Sequence, residues 1–152
     1  MPTLRESPYA AFNFLVEIEP GKGKDPQAGF SEVSGLNSEI TVAEYRAGND
    51  AVNHVRKLPG VFKTGDVTLK RGVIGASNLY EWLDAVRAGN LSKAKRDVVI
   101  KLLDESRTNP VVSWKLRGAM PMKWTGPTLS AKGGTDVAIE ELVLSVEQVD
   151  QE

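Results

Sequence analysis

From Phe12 the chain alternates in character. Phe12, Phe14, Val16 and Ile18 are apolar, and Asn13, Glu17 and Glu19 between them are polar, with Leu15 breaking the pattern. A period of two marks a strand that buries one face. Pro20 and Gly21 stop it, and Gly21 to Pro26 reads as a flexible turn. Ala28 to Ser34 predicts a second strand, closed by Gly35. Glu39 to Arg46 predicts a third, with Ile40 and Val42 on one face and Thr41, Ala43 and Tyr45 on the other. From Ala47 to Asp66 the alternation is lost among Gly48, Asn49, Asp50, Pro59, Gly60 and Gly65. That stretch, about 47–65, reads as one long loop or an irregular hairpin. Alternation returns over Val67 to Arg71, with Val67 and Leu69 inward.

The period then changes. Leu79, Trp82, Leu83 and Val86 fall at i, i+3, i+4 and i+7, an apolar stripe that predicts a helix over about 78–88. Asn78 and Glu81 have the spacing of a capping box, and Gly89 supplies the C-terminal stop. After a basic linker of Lys93, Lys95 and Arg96, alternation resumes. It covers Asp97 to Glu105, Val111 to Arg117 with a continuation at Met120 to Trp124, and Val137 to Val149. Seven or so strands and a single helix predict a mainly β fold, an antiparallel sandwich or barrel.

Composition narrows the class. The chain has 152 residues, the size of one domain, with 41% hydrophobic and 26% charged residues, which excludes a disordered or collagen-like chain. Nineteen basic residues face 20 acidic ones, a net charge of −1. That balance gives no bulk attraction to nucleic acid or anionic membrane, and it does little to hold copies of the chain apart. Cysteine is absent, so disulfides, thiolate catalysis and cysteine-ligated metals are excluded. No apolar run approaches the ~18 residues that span a bilayer. Met1 to Ala10 is too polar for a signal peptide, so synthesis in the cytoplasm and no membrane insertion of its own are expected.

Candidate chemistry is sparse. His54 is the only histidine and has no carboxylate at a helical ligand spacing. Gly60 and Gly65 are spaced as in a phosphate loop, but Asp66-Val67 replaces the required Lys-Ser/Thr. No serine stands in a nucleophile-elbow frame. Trp82 and Trp114 read as core, and Trp124 as core or interface. The expectation is therefore no catalytic, cofactor-binding or metal-ligating residue, and no enzyme.

Several short motifs, in order, carry a resemblance. Glu44-Tyr-Arg-Ala-Gly48, Val55-Arg-Lys-Leu-Pro-Gly60, Val67-Thr-Leu-Lys-Arg-Gly72 and Leu79-Tyr-Glu-Trp82 are similar to the tail tube protein family of contractile phage tails and phage-tail-like contractile injection systems. Phe12-Asn-Phe-Leu-Val-Glu17, Phe30-Ser-Glu-Val-Ser-Gly-Leu36 and Trp114-Lys-Leu-Arg-Gly118 agree, so the resemblance covers nearly the whole chain. Ala47-Gly48-Asn49-Asp50 departs from the Glu-Gly-Gly of many relatives. The resemblance implies two packed antiparallel sheets with a flanking helix, and hexameric rings stacked into a hollow tube. It implies a surrounding sheath, baseplate and terminator or cap proteins as partners, and effector protein or DNA as transient cargo. Assembly would occur in the bacterial cytoplasm, with the finished tube in a phage tail or an injection particle.

The resemblance also implies subunit contacts through the long loop and its flank, at Tyr45, Arg46, Asp50, Val55, Arg56, Lys57, Leu58 and Val61. Candidate lumen-facing positions, each opposite an apolar strand face, are Asn13, Glu17, Thr41, Thr68, Lys70 and Lys101. Two other functions compete. A monomeric β-sandwich binding module would need no partner copy, and a small hydrolase would need a nucleophile–base pair that the sequence lacks.

Overall fold

The computed structural model of the chain describes residues 4–18, 29–75, 78–134 and 136–152, apart from the side chains of Asn78, Leu91 and Lys93. The expected 21–26 turn, the start of the second strand at Ala28 and the Asn78 cap lie outside the described residues. In chain order the elements are β1 (Phe14–Ile18), β2 (Phe30–Ser34), β3 (Ser38–Tyr45), β4 (Arg56–Thr64), β5 (Val67–Gly72), α1 (Asn78–Arg87), α2 (Leu91–Ala94), β6 (Arg96–Leu103), β7 (Pro110–Thr125), β8 (Ile139–Ser145) and β9 (Gln148–Gln151). Every pairing among them is antiparallel.

Two layers form because β7 belongs to both. Its first part pairs with β6 and β9, and its last part, from Met120, pairs with β8. Gly118, at φ +63°, sits where the strand changes layer. One layer is therefore β1-β6-β7-β9 and the other β7-β8-β5-β2. Between them lie Val16, Val98, Ile100 and Leu116 from the first layer and Val67, Leu69, Leu142 and Leu144 from the second. Burying such side chains stabilises the fold by roughly 1.5–3 kcal/mol each, before chain entropy is charged against it.

Helix α1 closes this core with Leu79 and Trp82, as its stripe predicts. Trp82 Nε1 donates to the Ala94 carbonyl at 2.8 Å, which ties α1 to α2. The expected linker at Lys93 to Arg96 is instead helix α2 running into β6. Gly89 (φ +81°) ends α1: its N–H meets the Val86 carbonyl, and Asn90 N–H meets that of Ala85, the double bond of a Schellman cap.

The expected long loop at 47–65 is shorter than read. Its second half is strand β4, paired with β3 from Ser38↔Thr64 to Tyr45↔Arg56, so the hairpin alternative is the one the chain adopts. Pro59 and Gly60 look like breakers but have places here. Pro59 lies on a ribbon with no further strand beside it, where its missing N–H costs nothing. Gly60 stands at the bulge opposite Thr41, whose carbonyl oxygen a Cβ at Gly60 would meet at 2.5 Å. Between β3 and β4 residues 46–55 lie outside the strands, and Gly65 follows the end of β4.

Candidate functional site

Among the described residues no group of three or more His, Asp or Glu side chains is placed to hold a metal ion. His54 is exposed, with Nδ1 3.4 Å from the Val55 carbonyl oxygen. The stretch from Gly60 is β4 running into its turn, so its two glycines serve backbone geometry. The surface is where the chain departs from an ordinary domain.

β3 and β4 form a two-stranded arm that continues the β2–β5 pair. Ser34 faces Thr68, and four residues on along each strand Ser38 faces Thr64, so one register runs through the joint. At the joint Gly35 (φ +90°) presses on Asp66, leaving no room for a Cβ, and Asn37 Oδ1 accepts the Gly65 N–H at 2.7 Å. Thr64 Oγ1 ties the base to the Val146 carbonyl at 2.6 Å. Beyond its base the arm is exposed along both strands. Pairing puts Ile40, Val42, Pro59 and Phe62 on one face and Ala43, Tyr45, Leu58 and Val61 on the other. Val61 is 76% exposed. Each face also carries a charged pair, Glu44 with Lys57 on the first and Glu39 with Lys63 on the second. A ribbon exposed on both sides in water would still keep at least one face free of large apolar residues, and this one has them on both.

The predicted contact residues separate by role. Tyr45, Leu58 and Val61 stand exposed on the arm, with Lys57 opposite Glu44 and Val55 just before β4. Arg46, Asp50 and Arg56 are engaged inside the tip. Asp50 accepts from the Ala47 N–H at 3.0 Å and from Arg56 at 3.2 Å, while Arg46 donates to the Val52 and Asp50 carbonyls. They hold the loop's shape. Ile40, Val42 and Phe62, also exposed on the arm, fall outside the contacts expected from sequence, although apolar residues on both faces of one strand are the available sign. A second exposed apolar group, Val73, Ile74, Leu129, Val137 and Ile139, gathers where the Val73 N–H meets the Ala138 carbonyl.

The six lumen candidates do not share a surface. Asn13 is buried within the chain, which removes it from any wet wall. Thr41 is on the arm. Glu17 and Lys101 lie 3.2 Å apart on the outer side of the β1-β6 layer. Thr68 and Lys70 lie on the outer side of the other layer, where Lys70 meets Glu32 at 3.1 Å, a hydrogen bond that raises its pKa. Opposite sides of a sandwich cannot line one channel. The first side carries further pairs, Lys115 with Asp97 and Arg117 with Asp150, and the Arg117 hydrogen bond holds the Asp150 carboxyl below its ordinary range.

A two-layer β domain whose arm leaves apolar residues uncovered among the described residues has the form of an assembly subunit. The chain belongs to the T4-like virus tail tube protein gp19 family, whose model matches residues 10–150. It is similar to a chain of the PVC extracellular contractile injection system sheath–tube complex in the extended state, with 28% identity, 97% of this chain and 93% of that one covered, and a TM-score of 0.81. A chain of the anti-feeding prophage tube-terminating cap structure matches at 27% identity, covering 100% of this chain and 95% of that one, with a TM-score of 0.82. Hcp1 from Flavobacterium johnsoniae, at 16% identity, 92% and 94% coverage and a TM-score of 0.53, shares the fold. No curated protein sequence matches the chain.

Proposed function

We propose that this protein is the structural inner-tube subunit of a contractile injection system or phage tail. Copies close into hexameric rings, rings stack into a hollow tube, and sheath contraction drives cargo through the lumen. The sheath, the baseplate and a cap or terminator are its partners. Its role is structural and not catalytic. Assembly takes place in the bacterial cytoplasm, and the finished tube sits in a phage tail or an injection particle. No described helix is long and apolar enough to cross a membrane.

The observation that carries this reading is the two-faced apolar arm on a tail tube family chain. A monomeric binding module would leave Ile40, Val42, Tyr45, Leu58, Val61 and Phe62 in water, whereas a ring covers them with neighbours. Of the two polar sides, the one bearing Thr68 and Lys70 belongs to the layer whose strands run on into the arm. Copies joined through arms extend that layer around the ring, so it forms the lumen wall, and Glu17 and Lys101 face outward toward the sheath.

Val61→Asp with Phe62→Asp tests the reading. Both positions are exposed, so stability should move by no more than about 0.5 kcal/mol per site. Rings and tubes should be lost. Long tubes formed by this variant, seen by microscopy beside an unchanged circular dichroism spectrum, would remove the arm from assembly.

A further inference from the structure

The arm needs a place to dock, and the same chain offers one. Among the described residues β1 pairs only with β6, and β2 only with β5, so the sandwich is open along a seam between two free strand edges. A cleft of about 310 Å³ occupies the seam, lined by Tyr9, Phe14, Val33, Leu36, Leu102 and Trp114. Polar groups at the rim are already engaged. Trp114 Nε1 donates to Gln151, Glu32 meets Lys70, and Arg5 grips Glu105. Among the described residues nothing fills its apolar walls or pairs with its two edges, and a sheet takes up an added strand at such an edge.

The arm has that form. Its face of Ile40, Val42, Pro59 and Phe62 is apolar, and its backbone is already extended. The chain's own arm does not fill its own cleft. It begins at Ser38, two residues past Leu36, its base is tied to Val146 beside β9, and its apolar side chains are exposed. The cleft runs up to that base, so a copy seated in it would meet the arm's joint as well. Knob and hole are different surfaces of one chain. Such a contact is heterologous, and repeated it closes a ring or runs on as a helix.

We infer that the cleft between β1 and β2 is the receptor for the β3–β4 arm of a second copy, with Ile40, Val42 and Phe62 entering it. This rests on the tube reading. The natural chain has no cysteine, so introduced pairs report without background. Val42→Cys combined with Tyr9→Cys or Ser31→Cys places one thiol on the arm and one at the cleft rim, and disulfides form only across a Cα separation below about 7 Å. Oxidised during assembly, the double variants should give a ladder of covalent multimers that collapses on reduction to the single 16.5 kDa band. A ladder from Val42→Cys with Leu129→Cys, and none from either rim pair, would overturn the assignment and dock the arm on the loop patch while leaving the tube reading intact.

Hydrogen exchange on the wild-type chain, before and after assembly, covers the case in which the variants fail to assemble. Residues 9–16 and the two arm strands should slow together by at least about tenfold, because edge amides gain partners. Slowing of the arm alone would refute the docking. A wild-type chain that never assembles would overturn the tube reading, and this inference with it.

Discussion

Arg71 is 1% exposed and stands directly across the β5–β8 ladder from Glu140, 2.6 Å from its carboxylate. The other Glu140 oxygen accepts from Trp124 Nε1 at 3.2 Å, and Trp124 packs edge-on against Tyr80. One charge cluster thus links β5, β8 and β7 to the helix. Removing Glu140 takes the carboxylate from a buried guanidinium, so Glu140→Ala should cost about 3–5 kcal/mol, whereas replacing both by apolar residues should recover much of it. Urea unfolding of the two variants measures the difference. Sequence parity places Arg71 inward after Val67 and Leu69, but a charge at that point reads as a strand end, since its partner is 69 residues away. Trp124, legible only as core or interface, takes its place through that same partner. Trp82 was plain from the helix stripe, and Trp82→Ala should cost about 3–5 kcal/mol.

A surface pair sets a pH response. The Arg5 guanidinium donates twice to Glu105, at 2.6 and 2.8 Å, and that hydrogen bond holds the Glu105 carboxyl below its ordinary 4.5. Because the folded value is the lower one, this tether is fully present above pH 4.5 and is lost as pH falls through the folded value. The protection of amides in residues 5–11, measured against the intrinsic exchange rate at each pH, should fall on that descent. Glu105→Gln should leave exchange already fast at neutral pH; a variant with the wild-type profile would show that the tether does not hold the segment.

Elements with one buried face were legible, and those depending on a partner were not. β1, β5 and α1 announce themselves because a single core selects one face of each. β4 carries no such selection, since nothing among the described residues covers it, and Pro59 and Gly60 then dominate the reading. In β7 the alternation lapses at Gly118-Ala119 before its continuation at Met120 to Trp124, and there the one strand changes layer. The 46–55 tip is held by Asp50 and Arg46. Replacing residues 47–55 by a short glycine-serine turn should keep the domain folded, because loop closure changes by less than about 1 kcal/mol. Stable stacking should be lost; intact tubes by microscopy would confine assembly to the strands.

At the scale of the whole molecule the sandwich has two polar outer sides, and the proposed tube turns one to the lumen and one to the outside. Period-two alternation marks polar sides without saying which way they face, and for that reason it cannot separate Glu17 and Lys101 from Thr68 and Lys70. In sheathless tubes, Thr68→Cys should resist a bulky maleimide that modifies Glu17→Cys, with both equally reactive in the unassembled chain; the reverse order would exchange the two walls. The central claim is that this chain builds a tube, and electron microscopy of the purified protein, nucleated where needed by its baseplate partner, tests it most directly. Class averages should show hexameric rings stacked end to end around an open lumen. A monodisperse 16.5 kDa particle under those conditions, at every concentration tried, would contradict the account.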